Sequence, residues 1–437
     1  LLRILQASTR RGGRLNDRAG HEIKMQAAIS LRNLLILPEV REMSRTITGL
    51  IPACLFCFTE SEGMLRIRML GVLKAIADDQ EMKLEIARNK DIYPVLLAMM
   101  KGGSCQPMDS TKSGNSPRAD VQRKARDLSL LNVDHSLTFL NAISQETSDI
   151  IACHDIIFDV VAILMRFCSD EKYPGRVETE RSSATSANDA VRIKAAAVIR
   201  NLACNDSFSK TMAGTEGFLQ ILGNLLSGCQ SGCRQALSAL RHLSAHETSA
   251  ALILSFPNIS HRQSLHEELP ETRIAKGENT IVKLLVSLSG SPDEWICVQS
   301  VRTLQNLTEQ DADFRIFEAE MVQQLEGIVL RRNELGIQAK VTAALAMASL
   351  TSRVSACRLI TKLPDCNDAR IFALLLGLGR AEAQSHEIIV GLWALCNIAA
   401  VEENTEKKFT EVDFLLDRIG RFAASGRDGE KGASGGL

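Results

Sequence analysis

Four asparagines, Asn33, Asn201, Asn306 and Asn397, close apolar stretches of the form Leu-x-Asn-Leu or a near relative. A carboxamide carries an acceptor and a two-hydrogen donor together, the pair needed to hold an extended peptide backbone without reading its side chains. Each such contact contributes about 0.5–1.5 kcal/mol net, so several must act in register. The other use of an Asn near a helix end is to satisfy local backbone groups. Around these positions stand Arg32, Arg68, Lys74, Lys194, Arg200, Arg234, Arg241 and Arg302. A row of such cations would neutralise an extended acidic or phosphorylated segment, or would lie as a solvated face with its stems packed along a helix.

Signatures of catalysis are missing from the sequence. It has no Gly-x-x-x-x-Gly-Lys-Ser/Thr loop and no glycine-rich dinucleotide turn. Cys54-Leu55-Phe56-Cys57 has zinc-knuckle spacing, but no second close pair follows and its neighbours are apolar, so core packing is the expectation. His242 and His246 stand one helical turn apart without the glutamate a metalloprotease needs after the first, and read as a surface pair. No catalytic residue, metal, cofactor or small-molecule substrate is expected.

The elements that must position the Asn and basic residues emerge when the chain is compared with itself. Calling the Asn-equivalent position N, copies fall at 33, 75, 142, 201, 242, 306, 349 and 397, with Ala75, Ala142, His242 and Ser349 replacing Asn in four of them. The spacings are 42, 67, 59, 41, 64, 43 and 48, and the three long ones contain stretches that read as inserted loops at about 102–119, 169–188 and 255–279. Each copy adds a short helix and a second apolar helix: Asp206–Ala213 then Thr215–Leu226 after Asn201, with Ile47–Phe58, Ile92–Met100, Ile156–Cys168, Thr280–Leu288 and Ile371–Leu378 elsewhere. No strand alternation is present, so the expectation is an all-α chain of about eight three-helix units of roughly 42 residues.

At about 100° per residue, N−2 and N+1 point to the core, while N−8, N−7, N−4 and N−1 share the face of N. The eight basic residues named above all fall on that stripe, with Asp134 as its acidic member. The last two copies place Thr342, Leu345, Val390 and Trp393 there instead, an apolar end.

Val191–Ala203 and Gly391–Ala399 resemble the third helix of an armadillo repeat. Trp393, four residues before Asn397, is similar to the Trp-x-x-x-Asn pairs of importin-α-like peptide grooves, although a Trp accompanies only that Asn. The resemblance covers nearly the whole chain and implies a right-handed α-solenoid over 1–424, with stacked third helices forming a concave surface. It also implies a noncatalytic scaffold that binds a protein partner along that surface, through Asn33, Arg68, Lys74, Lys194, Arg200, Asn201, Arg234, Arg241, Arg302, Asn306, Trp393 and Asn397. The alternative is a helical regulatory or substrate-binding region of a larger enzyme whose catalytic domain lies outside this sequence.

Composition narrows the class further. Lys plus Arg is 51 against 52 Asp plus Glu, which argues against a nucleic-acid binder held by bulk positive charge. Hydrophobic residues make up 45% and aromatics 4%, so the core must be aliphatic. No apolar run reaches the roughly 18 residues of a membrane span. Twelve cysteines scattered through apolar stretches read as reduced core thiols of an intracellular protein, cytoplasmic or nuclear. Leu1–Ala7 reads as a helix lacking its predecessor, Val412–Ala424 as one lacking its cover, and 425–437 as a flexible Gly/Ser-rich tail.

Overall fold

The computed structural model describes residues 17–102, 117–152, 154, 157–168, 184–256, 280–310, 318–330, 336–352 and 354–360. Among these residues it is all-helical, with no strand. Contacts divide the chain into two compact units, Leu1–Ala239 and Leu240–Leu437.

The first unit opens with a long helix, α1 (Asp17–Leu35), a short one, α2 (Pro38–Ser44), an apolar one, α3 (Leu50–Glu60), and a second long one, α4 (Gly63–Ile76). The same order returns as α5 (Gln80–Arg88), α6 (Ile92–Gly102) and α7 (Pro117–Ser144), then α8 (Ser148–Ala152), α9 (Ile157–Cys168) and α10 (Ala184–Leu202). It returns once more as α11 (Asp206–Gly214), α12 (Phe218–Leu226) and α13 (Gln230–Ser244), within which the division between units falls.

Local chemistry sets the breaks. Asp79 and Asn205, each four residues after an N position, cap α5 and α11 by accepting from the Met82 amide at 3.2 Å and the Phe208 amide at 2.7 Å. Leu37 occupies the same offset before Pro38, whose missing N–H suits a first turn. Gly49 and Gly217, each sixteen residues after an Asn, take φ of 84° and 78° and start the apolar helices α3 and α12. A side chain disfavours that conformation, so the helices expected from Ile47 and Thr215 begin instead at Leu50 and Phe218.

Long helices pack on long helices in sequence order, α1 on α4, α4 on α7 and α7 on α10, while α3, α6, α9 and α12 form a parallel succession. The core between them is aliphatic: Leu70, Leu73 and Ile76 from α4, Leu137 and Ile143 from α7, and Val198, Ile199 and Leu202 from α10 are each at most 1% exposed. Burying such a side chain contributes roughly 1.5–3 kcal/mol.

The second unit holds α14 (Glu247–Ser255), α15 (Thr280–Ser289), α16 (Glu294–Gln310), α17 (Glu318–Leu330), α18 (Ile337–Leu350) and α19 (Val354–Ile360). Helix α16 packs on α14, α15 and α18, and α17 on α15, α18 and α19. The Glu294 carboxylate reaches the N-terminus of α18, accepting from the Ala339 amide at 3.3 Å, where it complements the helix dipole.

Two insert boundaries differ from expectation, because residues 117–119 belong to α7 and 184–188 to α10. Thr342 is buried rather than presented, its hydroxyl donating to the Gln338 carbonyl at 2.8 Å, and Leu345 is half-buried. Val390, Trp393, Asn397, the helices expected at 1–7, 371–378 and 412–424, and the 425–437 tail lie outside the described residues.

Candidate partner-binding face

Asn201, on α10, is 7% exposed. Its Nδ2 donates to the Ser144 hydroxyl at 2.9 Å and to the Asn141 carbonyl and Asn141 Oδ1, each at 3.2 Å, all on α7. Its Oδ1 accepts from Arg200 Nε at 3.1 Å and Nη2 at 2.7 Å, and Arg200 Nη1 donates onward to Gln235 Oε1 at 2.9 Å. In the second unit Asn306 Nδ2 donates to the Arg241 carbonyl at 3.1 Å and the Ser244 hydroxyl at 3.2 Å, while Arg241 Nη1 donates to Gln299 Oε1 at 3.0 Å.

The offsets are identical. In each unit the Asn at N bonds the N−1 carbonyl and the N+2 serine of the preceding long helix, and an Arg at N−1 bonds the Gln at N−7 of the following one. Gln305 continues the series, donating to the Ser349 hydroxyl at 3.0 Å. Within each unit, therefore, successive long helices lie side by side with the predicted stripe aligned. The asparagines differ from the ladder expectation: the Asn201 amide is saturated by its own chain, and the Asn306 amide is tied to the neighbouring helix. Their chemistry is the satisfaction of backbone groups, carried to an adjacent helix rather than a loop. Asn33 differs again, being exposed on α1.

The basic residues divide into two sets. Arg200 and Arg241 serve these lateral ties, and Lys194 forms an ion pair with Asp134, the acidic member of the stripe. Arg32, Lys74 and Arg234 are exposed, and Arg68 and Arg302 are half-buried. Arg32 lies across α4 where Gly71 leaves room, its Cδ 3.2 Å from where a Cβ would stand. Arg68 is one turn earlier on α4, and its buried Nε has no hydrogen-bond partner.

His135 of α7 joins this group. Burial pushes its pKa below the ordinary histidine value, the cations Lys194, Arg32 and Arg68 push the same way, and Asp134 opposes them. His135 escaped the sequence reading because only Lys, Arg, Asp and Glu were weighed on the stripe, although it sits at N−7 of its copy. Gln235 and Gln299 share that offset, and a tally of every polar residue at N−7 finds all three.

The remaining candidates lie elsewhere. Cys54 and Cys57 are buried in α3, where desolvation pushes the Cys54 thiol up to about 12. His246 is extended, beyond the end of α13, so it does not share a helix with His242. Among the described residues no cluster of three or more metal-ligating side chains occurs, and no helix is long and apolar enough to cross a membrane.

No family model matches the chain, and no curated protein matches it. Two crystal structures of engineered proteins are similar to it. One is 17% identical, with a TM-score of 0.46 over 70% of this chain and 97% of that one. The other is 16% identical, with a TM-score of 0.39 over 91% and 98%.

Proposed function

We propose that this chain is a noncatalytic scaffold that binds a segment of a protein partner along the aligned face of its long helices. In this reading the array is an armadillo-type, right-handed α-solenoid of about eight repeats. The observation that carries the proposal is the repeated register of the Asn and Arg ties in both units. Spending the amides on neighbouring helices fixes the backbone of the face in advance, so binding costs ordering entropy chiefly in the partner.

The partner contacts then fall to Arg32, Arg68 and Lys74 in the first unit and to Arg302 in the second. Their sign selects an acidic segment. The test is fluorescence anisotropy with a labelled, randomised peptide pool rich in Asp and Glu against a neutral pool. The acidic pool should bind more tightly, and Lys74→Glu and Arg302→Glu should each weaken it with unchanged helicity. Equal binding of the two pools, or affinity untouched by both substitutions, would remove the assignment.

A further inference from the structure

We propose that Arg32, Arg68 and His135 form a seat for the phosphoryl group of a phosphorylated serine or threonine within a partner segment. This rests on the partner-binding reading and names the chemistry at one point of the same face.

Three successive long helices each contribute one group: Arg32 from α1, Arg68 from α4 and His135 from α7. Position 71 has no side chain, which lets the Arg32 stem cross α4 one turn from Arg68, and both guanidiniums act electrostatically on His135 of the adjacent α7. The acidic residue acting on His135 from its own helix, Asp134, is already paired with Lys194, and among the described residues no ion pair is formed by Arg32 or Arg68.

Two positive charges and an imidazole match a group of charge −1.5 to −2 with three acceptor oxygens better than they match a carboxylate. A nucleic acid fits poorly. Its affinity comes from many phosphates contacted along a track, whereas further along the stripe of the same unit Lys194 is paired with Asp134 and the Arg200 guanidinium is held by Asn201 and Gln235.

The experiment uses the full chain and three labelled peptide pools with identical random flanks and a fixed central phosphoserine, serine or glutamate. At physiological ionic strength the phosphoserine pool should bind about tenfold or more tighter than the other two, as charge-assisted bonds to two guanidiniums require. Arg32→Gln and Arg68→Gln should each remove most of that preference, while Arg88→Gln on α5 should change nothing. Arg32 is exposed, so its variant decides the matter even where the half-buried Arg68 variant fails to fold. Equal affinity for the phosphoserine and serine pools overturns the seat while leaving the scaffold reading intact. A preference that survives Arg32→Gln also overturns it, as does tighter binding of a single-stranded RNA oligomer or of phosphoinositide vesicles.

Discussion

Asn201→Ala separates two roles that the sequence left open. Its side chain is 7% exposed and is held by the Ser144 hydroxyl and the Asn141 carbonyl on one side and by Arg200 on the other. At roughly 1 kcal/mol for each hydrogen bond lost, the substitution should cost about 2–3 kcal/mol. The chain has two units, so a single global unfolding transition is a poor readout. Local hydrogen exchange is better: amides of α7 and α10 should lose about thirty- to 160-fold of their protection, while α16 and α18 keep theirs. Ser144→Ala should combine with Asn201→Ala less than additively, by about 0.5 kcal/mol or more, since both break one tie. Asn33→Ala, at an exposed position, should stay within about 0.5 kcal/mol. Unchanged protection in Asn201→Ala, or equal effects at Asn33 and Asn201, would refute the lateral tie and return the amide to partner binding.

Further outcomes follow from the local chemistry. Gly217→Ala should destabilise the first unit by about 1–2 kcal/mol, seen as faster exchange in α12, because the cost lies in its φ of 78° and not in crowding. Burial alone would raise the Asp79 carboxyl, but hydrogen bonds from the Arg45 side chain and the Met82 amide outweigh it and hold the group below its usual range. Its contribution is therefore present above the ordinary carboxylate pKa and lost as pH falls through the depressed folded value, so the gap in α5 amide-exchange protection between the native chain and Asp79→Asn should close on acidification. Alkylation at pH 8 should mark the exposed Cys204 and Cys229 before Cys54 and Cys168, whose buried thiols are pushed up to about 12; peptide mass spectrometry reads the order.

The helical class was legible because apolar residues recur at helical spacing in stretches such as Phe218–Leu226, and the stripe was legible because its offsets repeat. The roles of the stripe residues were not. Asn201 and Asn306 look equivalent to Asn33 along the chain, yet their amides meet Ser144 and Ser244, residues 57 and 62 positions away on a neighbouring helix. Charge counting likewise grouped Lys194 with Arg68, and only packing shows that Asp134 neutralises the first and leaves the second. Helix starts at Leu50 and Phe218 were missed by three residues because an apolar period says nothing about the left-handed turn at the preceding glycine.

The most direct test of the partner face is site-specific photo-crosslinking with the phosphoserine and acidic peptide pools. A benzophenone side chain placed at Lys74, on the aligned stripe, should yield peptide adducts that unlabelled peptide competes away. The same group at the exposed Glu85 or Phe158, off the stripe, should yield none. Adducts from Glu85 or Phe158 as abundant as those from Lys74 would contradict the account.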